Sequence, residues 1–351
     1  MSAACLPALR PGLQGLPAYA APTDRGAFRR LDANEGPSPD LERLSQMLAL
    51  AAFGLTLYPE YGALRRAAAE AWGLAPAQVM AVNGADEGIA LVLRAFTGPG
   101  EALLTSDPTF AMYGVYAAQL GTPRIAVPVK EDFCTDVAGL LSALPGARML
   151  ALVSPDNPSG RRLDEADLRR LLEAAGDRPV LVDETYAPFC GQDFARLLVE
   201  FPNLLVLRTL SKAYGVPGLR CGFLLGDPAL IAALEPLRSP YNVNGPAALL
   251  GAQLLAGDAG AAGRRQRAVA ARRTLQAELD AAGWRTVPSD THFFLLDLGA
   301  QATEVVACLR RQGLLVKDLA GTLPGFLRIS VATAEDADAF RAAFAGTGVR
   351  P

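Results

Sequence analysis

"LLVLRTLSKAYGVPGLRCGFLLG", residues 204–226, is the stretch whose reading decides the fold. Two apolar runs, 204–208 and 221–226, flank a stretch with small residues that carries Lys212 and Arg220. Runs that are nearly continuously apolar, rather than alternating, fit strands covered on both faces. A lysine just past such a strand is by default a solvated surface charge, so its meaning depends on what surrounds it.

Working outward, the same kind of run recurs at 79–82 (VMAV), 102–105 (ALLT), 124–129 (RIAVPV), 148–154 (RMLALVS) and 179–183 (PVLVD). Helical patterns lie between them. In "DEADLRRLLEAAG" (164–176), Leu168, Leu171 and Leu172 share one face and Gly176 supplies a stop. This alternation predicts an α/β domain with a mostly parallel central sheet and helices on both faces. Beyond about residue 236 the pattern changes. The reading there is one long helical stretch over 246–283, strands at 292–298, 314–317 and 326–331, and helices at 303–312 and 335–345. That makes a smaller α+β C-terminal domain. The expected division is an N-terminal arm (1–30) packing on the small domain or the dimer partner, a large domain (31–236) and a small domain (237–351), with the Pro- and Gly-bearing segment 236–247 as the hinge.

Composition narrows the function. The chain of 351 residues is 51% hydrophobic and can bury a large core. Its 33 Lys and Arg against 36 Asp and Glu leave a net charge of −3, with no basic block, so nucleic acid is not an expected partner. No apolar run is long enough to span a bilayer. The five cysteines, Cys5, Cys134, Cys190, Cys221 and Cys308, are odd in number and widely spaced. They fit a reducing, cytoplasmic setting rather than a disulfide scaffold. With one histidine, His292, no multi-histidine metal site is possible, and no metal is expected. His292 reads as a packed or edge residue of a strand.

In an open α/β sheet, ligands bind where the strands deliver their loops. The loop after 79–82 holds Gly84, a tight turn opening a helix, which presents free N–H groups to a phosphate. The loop after 102–105 holds Phe110. The loop after 148–154 holds Asn157 between two prolines. Asp183 ends an apolar strand, where an unpaired carboxylate is costly, and Tyr186 follows it. Taken singly, each has a plainer role as turn residue, core ring or surface charge. Together they describe one ligand. A phosphate suits Gly84, Ser211 and Arg220; a flat ring suits Phe110; a ring nitrogen suits Asp183; a phenolic oxygen suits Asn157 and Tyr186; an aldehyde suits Lys212. Pyridoxal phosphate satisfies all five. An unperturbed lysine, with a pKa of about 10.4, is a poor nucleophile, and partial desolvation near Arg220 is expected to lower it.

These stretches resemble the class II pyridoxal-phosphate aminotransferases of fold type I. "LDANEGP", "YPEYG", "GADEG", "PTFAMY", "SPDNPSG", "VDETY", "LRTLSKAYGVPGLRCGF" and "LRISVAT" fall in the order found in the histidinol-phosphate aminotransferases, from about Tyr19 to Phe340. The resemblance implies that Lys212 links to the cofactor and moves the proton between the substrate Cα and the cofactor's C4′. Asp183 would hold the ring nitrogen, Asn157 and Tyr186 the ring oxygen, and Phe110 the ring face. Gly84, Ala85, Asp86, Ser211 and Arg220 would hold the phosphate, joined by Tyr58 from the partner in a homodimer. Tyr19, Asn157, Lys317 and Arg328 would bind substrate. Lys317 stands where the family commonly has arginine, and His292 where it usually has asparagine. The alternation in "FLRISV" independently puts Phe326, Arg328 and Ser330 on one strand face and Leu327, Ile329 and Val331 on the other. The expected reaction is amino transfer between L-histidinol phosphate and 2-oxoglutarate, in histidine biosynthesis. The alternatives are an aromatic amino acid aminotransferase, a related phosphate-ester decarboxylase and, outside enzymes, an effector sensor built on the same fold.

Overall fold

In the computed structural model, the residues described are Leu13, Leu16, 23–258 and 260–351. They form two sheets. Twelve strands run in chain order: β1 (Arg29–Leu31), β2 (Val79–Val82), β3 (Leu103–Asp107), β4 (Arg124–Pro128), β5 (Met149–Val153), β6 (Val180–Asp183), β7 (Leu204–Thr209), β8 (Gly222–Gly226), β9 (Arg285–Val287), β10 (Phe293–Asp297), β11 (Leu314–Asp318) and β12 (Phe326–Ser330).

The seven apolar runs of the first 226 residues are the seven strands of the large sheet, in the order β2-β8-β7-β6-β5-β3-β4. All neighbours pair in parallel except β8, which lies antiparallel between β2 and β7. Their continuous apolarity has the expected cause. Leu150, Val180, Val182, Leu204 and Val206 join the core on one face. Met149, Ala151, Leu181, Leu205 and Leu207, one residue out of step, join the core on the other. The helix expected over 164–176 is Glu165–Ala175, followed by Gly176 at φ 62°.

The second sheet has the order β1-β11-β12-β10-β9. One face is packed by Leu275, Leu279, Val305, Leu309, Phe340 and Phe344 from the surrounding helices, against Leu327, Ile329 and Val331. The opposite face carries Arg328, with Lys317 directly across from it on β11.

Three features differ from the sequence expectation. β1 makes Arg29–Leu31 a strand of the second sheet, parallel to β11, where no strand was expected from sequence. β9 is an additional strand. The helical stretch 246–283 is two helices, Gly245–Gly257 and Ala261–Ala281. The first packs Ala247, Ala248, Leu250 and Leu254 into the large-sheet core, on the far side of the boundary expected near 236. Among the described residues, no helix is long and apolar enough to cross a membrane, and no group of three or more His, Cys, Asp or Glu is arranged to hold a metal ion.

Candidate active site

The parallel strands of the large sheet end along one edge, and Lys212, Asp183, Asn157 and Phe110 lie in or just after the ends of β7, β6, β5 and β3 there. Lys212 follows β7. Its Nζ donates to the carbonyl of Ala33 at 2.8 Å. Burial, and then the charge of Arg328, pull its pKa down to about 8. A lysine so lowered is available as a free amine near neutrality.

Asp183, at the end of β6, is 2% exposed. Its Oδ1 accepts from the Thr185 N–H at 2.9 Å and its Oδ2 from the Tyr113 hydroxyl at 3.4 Å. Burial nevertheless raises its pKa to about 6, against the lowering effect of Thr185. None of the largest influences on this carboxyl comes from a basic side chain, so a cationic donor at this point would be favoured.

Tyr186 and Asn157 line the adjoining loops. The Tyr186 hydroxyl accepts from Asn34 Nδ2 at 3.0 Å, and burial pushes the phenol up to about 12. It is therefore a hydrogen-bonding phenol and not a phenolate at neutral pH. Arg328 reaches from β12 across the space between the sheets. One Nη donates to Asn157 Oδ1 at 2.5 Å and the other to the Asp32 carbonyl at 2.7 Å. Its guanidinium also lies over the Phe293 ring. Beside Asn157, Asp156 is buried, accepts from Thr109 at 2.6 Å and from Ser159, and is raised by burial to about 6. These bonds tie the Phe110 loop to the Asn157 loop. Phe110 is half-buried and meets Tyr113 edge-on at 6.5 Å.

The phosphate-sized end is built from backbone. Gly84 opens the helix Gly84–Phe96 with φ 75°, a conformation that favours glycine. A Cβ there would run into the guanidinium of Arg220. Arg220 pairs with Asp86 at 3.2 Å, and Ser211 is buried nearby in sequence, bonded to Thr209. Free N–H groups at a helix start, next to an arginine and with no room for a side chain, make an anion cradle.

A carboxyl raised to about 6 by burial, a lysine held near 8, and this cradle fit pyridoxal phosphate on chemistry. Of the other expected residues, Lys317 is exposed on the same strand face as Arg328. Tyr58 is 77% exposed and stacks on Tyr241 at 4.2 Å instead of entering this cluster. Tyr19 lies outside the described residues.

Asn34, Tyr113 and Asp156 belong to the site and were not singled out from sequence. Tyr113 sits three residues after Phe110, one helical turn along, which is the signal that could have found it. Asn34 carries no comparable local signal. It touches the site only because β1 is drawn into the distant sheet.

Replacing Arg328 by alanine removes a charge-assisted donor pair, worth about 1.5–3 kcal/mol per hydrogen bond to a charged group. The expected result is a KM raised roughly 10- to 100-fold for both amino donor and keto acid. Cofactor affinity should change far less. Steady-state kinetics with each substrate checks this, and an unchanged KM would remove Arg328 from the substrate site.

Residues 29–344 match the family model "Aminotransferase class I and II". A histidinol-phosphate aminotransferase of Thermococcus gammatolerans is 34% identical over 324 residues, covering 90% of this chain and 91% of that protein. One from Salmonella arizonae is 38% identical, covering 87% and 86%. The crystal structure of histidinol-phosphate aminotransferase from Sinorhizobium meliloti in complex with pyridoxal-5'-phosphate superposes with a TM-score of 0.87 at 25% identity, covering 98% of each chain. With its lysine-bearing sheet edge and these matches over nearly its full length, the chain belongs to the class I and II aminotransferases, among the relatives of the histidinol-phosphate aminotransferases.

Proposed function

We propose that the protein is a transaminase that moves an amino group between L-histidinol phosphate and 2-oxoglutarate, using pyridoxal phosphate. The observation that carries this reading is that Arg328, from the second sheet, bonds Asn157 at the edge of the large sheet where Lys212 follows β7 and Asp183 ends β6, with an anion cradle at Gly84.

When bound, pyridoxal phosphate supplies an aldehyde that takes up amino groups and a ring that withdraws electrons from the carbon being deprotonated. The chain does the rest. Lys212 Nζ, lowered to about 8 by burial and Arg328, is the amine that engages the aldehyde and then carries the proton from the substrate Cα. Asp183 holds the ring nitrogen protonated. Tyr186 and Asn157 hold the ring oxygen, and Phe110 covers the ring. Gly84, Ala85, Asp86, Ser211 and Arg220 hold the cofactor phosphate. Arg328 binds the anionic group of each substrate in turn, and Lys317, across the strand pair from it, supplies a second positive charge for the phosphate or carboxylate. Lysine gives that charge without arginine's bidentate fork, which suits a site that must accept two differently shaped anions alternately. Tyr19 completes the substrate end.

We further propose a homodimer. Leu41, Leu48, Leu50, Leu55, Leu57 and Tyr58 leave a stretch of exposed apolar side chains between residues 41 and 58, larger than scattered surface residues require. Covering it with a second copy would bring Tyr58 to the phosphate end of the partner's site.

The test is an absorption spectrum of the purified protein before and after L-histidinol phosphate is added. The expected result is a visible band from lysine-bound cofactor that moves to shorter wavelength with the donor. A band that ignores L-histidinol phosphate but responds to phenylalanine would reassign the donor. No band after reconstitution would refute the role of Lys212.

A further inference from the structure

Residues 32–36, "DANEG", leave β1 and run past site residues from both sheets. The Asp32 carbonyl accepts from Arg328 of β12, and the Ala33 carbonyl from Lys212 after β7. Asn34 comes next. It is 1% exposed, with φ 51°, a left-handed backbone state that asparagine tolerates better than most residues. A buried primary amide must place its N–H donors and its carbonyl oxygen on partners, and here the placement has a direction.

Ser330, two residues after Arg328 and on the same face of β12, fixes which way the amide lies. Its hydroxyl accepts from the Asn34 backbone N–H at 3.1 Å and donates to Asn34 Oδ1 at 2.7 Å. With Oδ1 held by Ser330, Nδ2 is turned to Tyr186 and donates to its hydroxyl oxygen at 3.0 Å. All three residues are buried. A phenol oxygen that accepts an N–H cannot send its own proton along the same line. Among the described residues the Tyr186 hydroxyl makes no other hydrogen bond, so its proton is left for a ligand in the site. Were the amide turned over, Oδ1 would take that proton instead. Burial keeps the proton on the phenol, whose pKa is pushed up to about 12.

We infer that Asn34 is a positioning residue that sets the direction of the Tyr186 hydroxyl proton, with Ser330 locking the amide in its donating orientation. The inference rests on the reading of Tyr186 as a group that holds the cofactor's ring oxygen. It adds a direction to that contact: Tyr186 donates to the ring oxygen and does not accept from it. A donor so aimed favours an ionised ring oxygen, and a hydrogen bond to a charged group is stronger than one between neutral groups. Arg328 donates to Asn157 Oδ1 and Ser330 to Asn34 Oδ1, so one face of β12 orients two amides.

The test is equilibrium binding of two probes to the cofactor-free full chain: pyridoxal phosphate, and its 3-deoxy analogue, which keeps the aldehyde and the phosphate but lacks the ring oxygen. Asn34→Asp keeps the size of the side chain and its tolerance of the backbone state, and puts an acceptor where the donor was. Ser330→Ala removes the lock without adding charge. N34D should weaken binding of pyridoxal phosphate roughly tenfold or more, and of the 3-deoxy analogue less than about threefold. S330A should show the same split at smaller size, about three- to fivefold for pyridoxal phosphate against little change for the analogue. A residue that only held the 32–36 segment in shape would affect both probes alike, so equal losses, or none, overturn the inference. Should N34D not fold, S330A decides alone by the same criterion. A wild-type chain that binds neither probe would sink the cofactor reading and this inference with it. A wild-type chain that binds both, with variants that lose both alike, would sink the inference and leave the amino-transfer reading standing.

Discussion

Lys212→Ala is expected to abolish amino transfer, by roughly 10⁴-fold or more, since both the amine that engages the aldehyde and the base that moves the proton are lost. The two losses are one residue's work and do not separate. With a pKa of about 8, about a quarter of the lysine is the free amine at pH 7.5, against about 0.1% for an ordinary lysine. The fold should survive, because the side chain makes one hydrogen bond, to Ala33. The sign of the pH dependence checks the environment separately. The lysine's folded pKa lies below its unfolded value, so between about 8 and about 10.5 the unfolded chain binds more protons. Wild-type stability should therefore gain a component as pH rises through that window, and K212A should lack it. Single-turnover assays and pH-dependent denaturation of both proteins make the measurement. Turnover by K212A near the wild-type rate would refute the assignment.

Asp183→Asn is the second large effect. The substitution keeps the shape and the bond to Thr185 but removes the charge that would hold a protonated ring nitrogen. The expected outcome is a kcat lowered roughly 10²- to 10³-fold, an electrostatic loss comparable to removing one preorganised group from a site. Cofactor binding should also lose a pH dependence. In the free protein, Asp183 ionises only above about 6, because burial outweighs its hydrogen bond to Thr185. Wild-type affinity for pyridoxal phosphate should fall as pH drops through that value, and the affinity of D183N should not. For stability the sign is opposite to that of Lys212. The folded pKa is raised, so between about 4 and about 6 the folded chain binds more protons, and stability falls as pH rises across that window. Asp156 is also held near 6, so the difference between wild type and D183N is the quantity to read. Equal affinity profiles for the two proteins would remove Asp183 from the ring nitrogen.

How much of this was legible in the sequence depends on where each residue gets its partners. The central strands of the large sheet, β5, β6 and β7, are legible because each is buried along its whole length, which leaves an unbroken apolar run; the edge strand β4 is largely exposed. Arg328 is legible because a lone arginine in an alternating strand has a defined face. β1 is not: of its three residues, Arg29 and Arg30 are exposed and only Leu31 is buried, too little for a period of two to register. The break between the helices ending at Gly257 and starting at Ala261 does carry a signal, Gly257, Asp258 and Gly260, which the alanine-rich flanks outweigh when 246–283 is read as one stretch. There, the pairing of Asp258 with Arg264 at 2.5 Å makes the turn. Asn34 gains its place through contacts between elements, with Tyr186 and Ser330, and no window of sequence contains both partners.

The pairing of β1 with β11 also sets an order of events during synthesis. Asn34 meets Ser330 across 296 residues of chain, and Leu31 waits for Val316. A ribosome that has released residue 257 has supplied every strand of the large sheet, the helix Gly245–Gly257 that packs into its core, and the lysine itself. It has not yet supplied Arg328, or the β-strand that draws the Ala33 carbonyl into place. Contacts this distant in sequence are the slow ones to form. The emerging chain therefore holds a folded platform with an unfinished reaction centre, and its first and last segments arrive together to complete it.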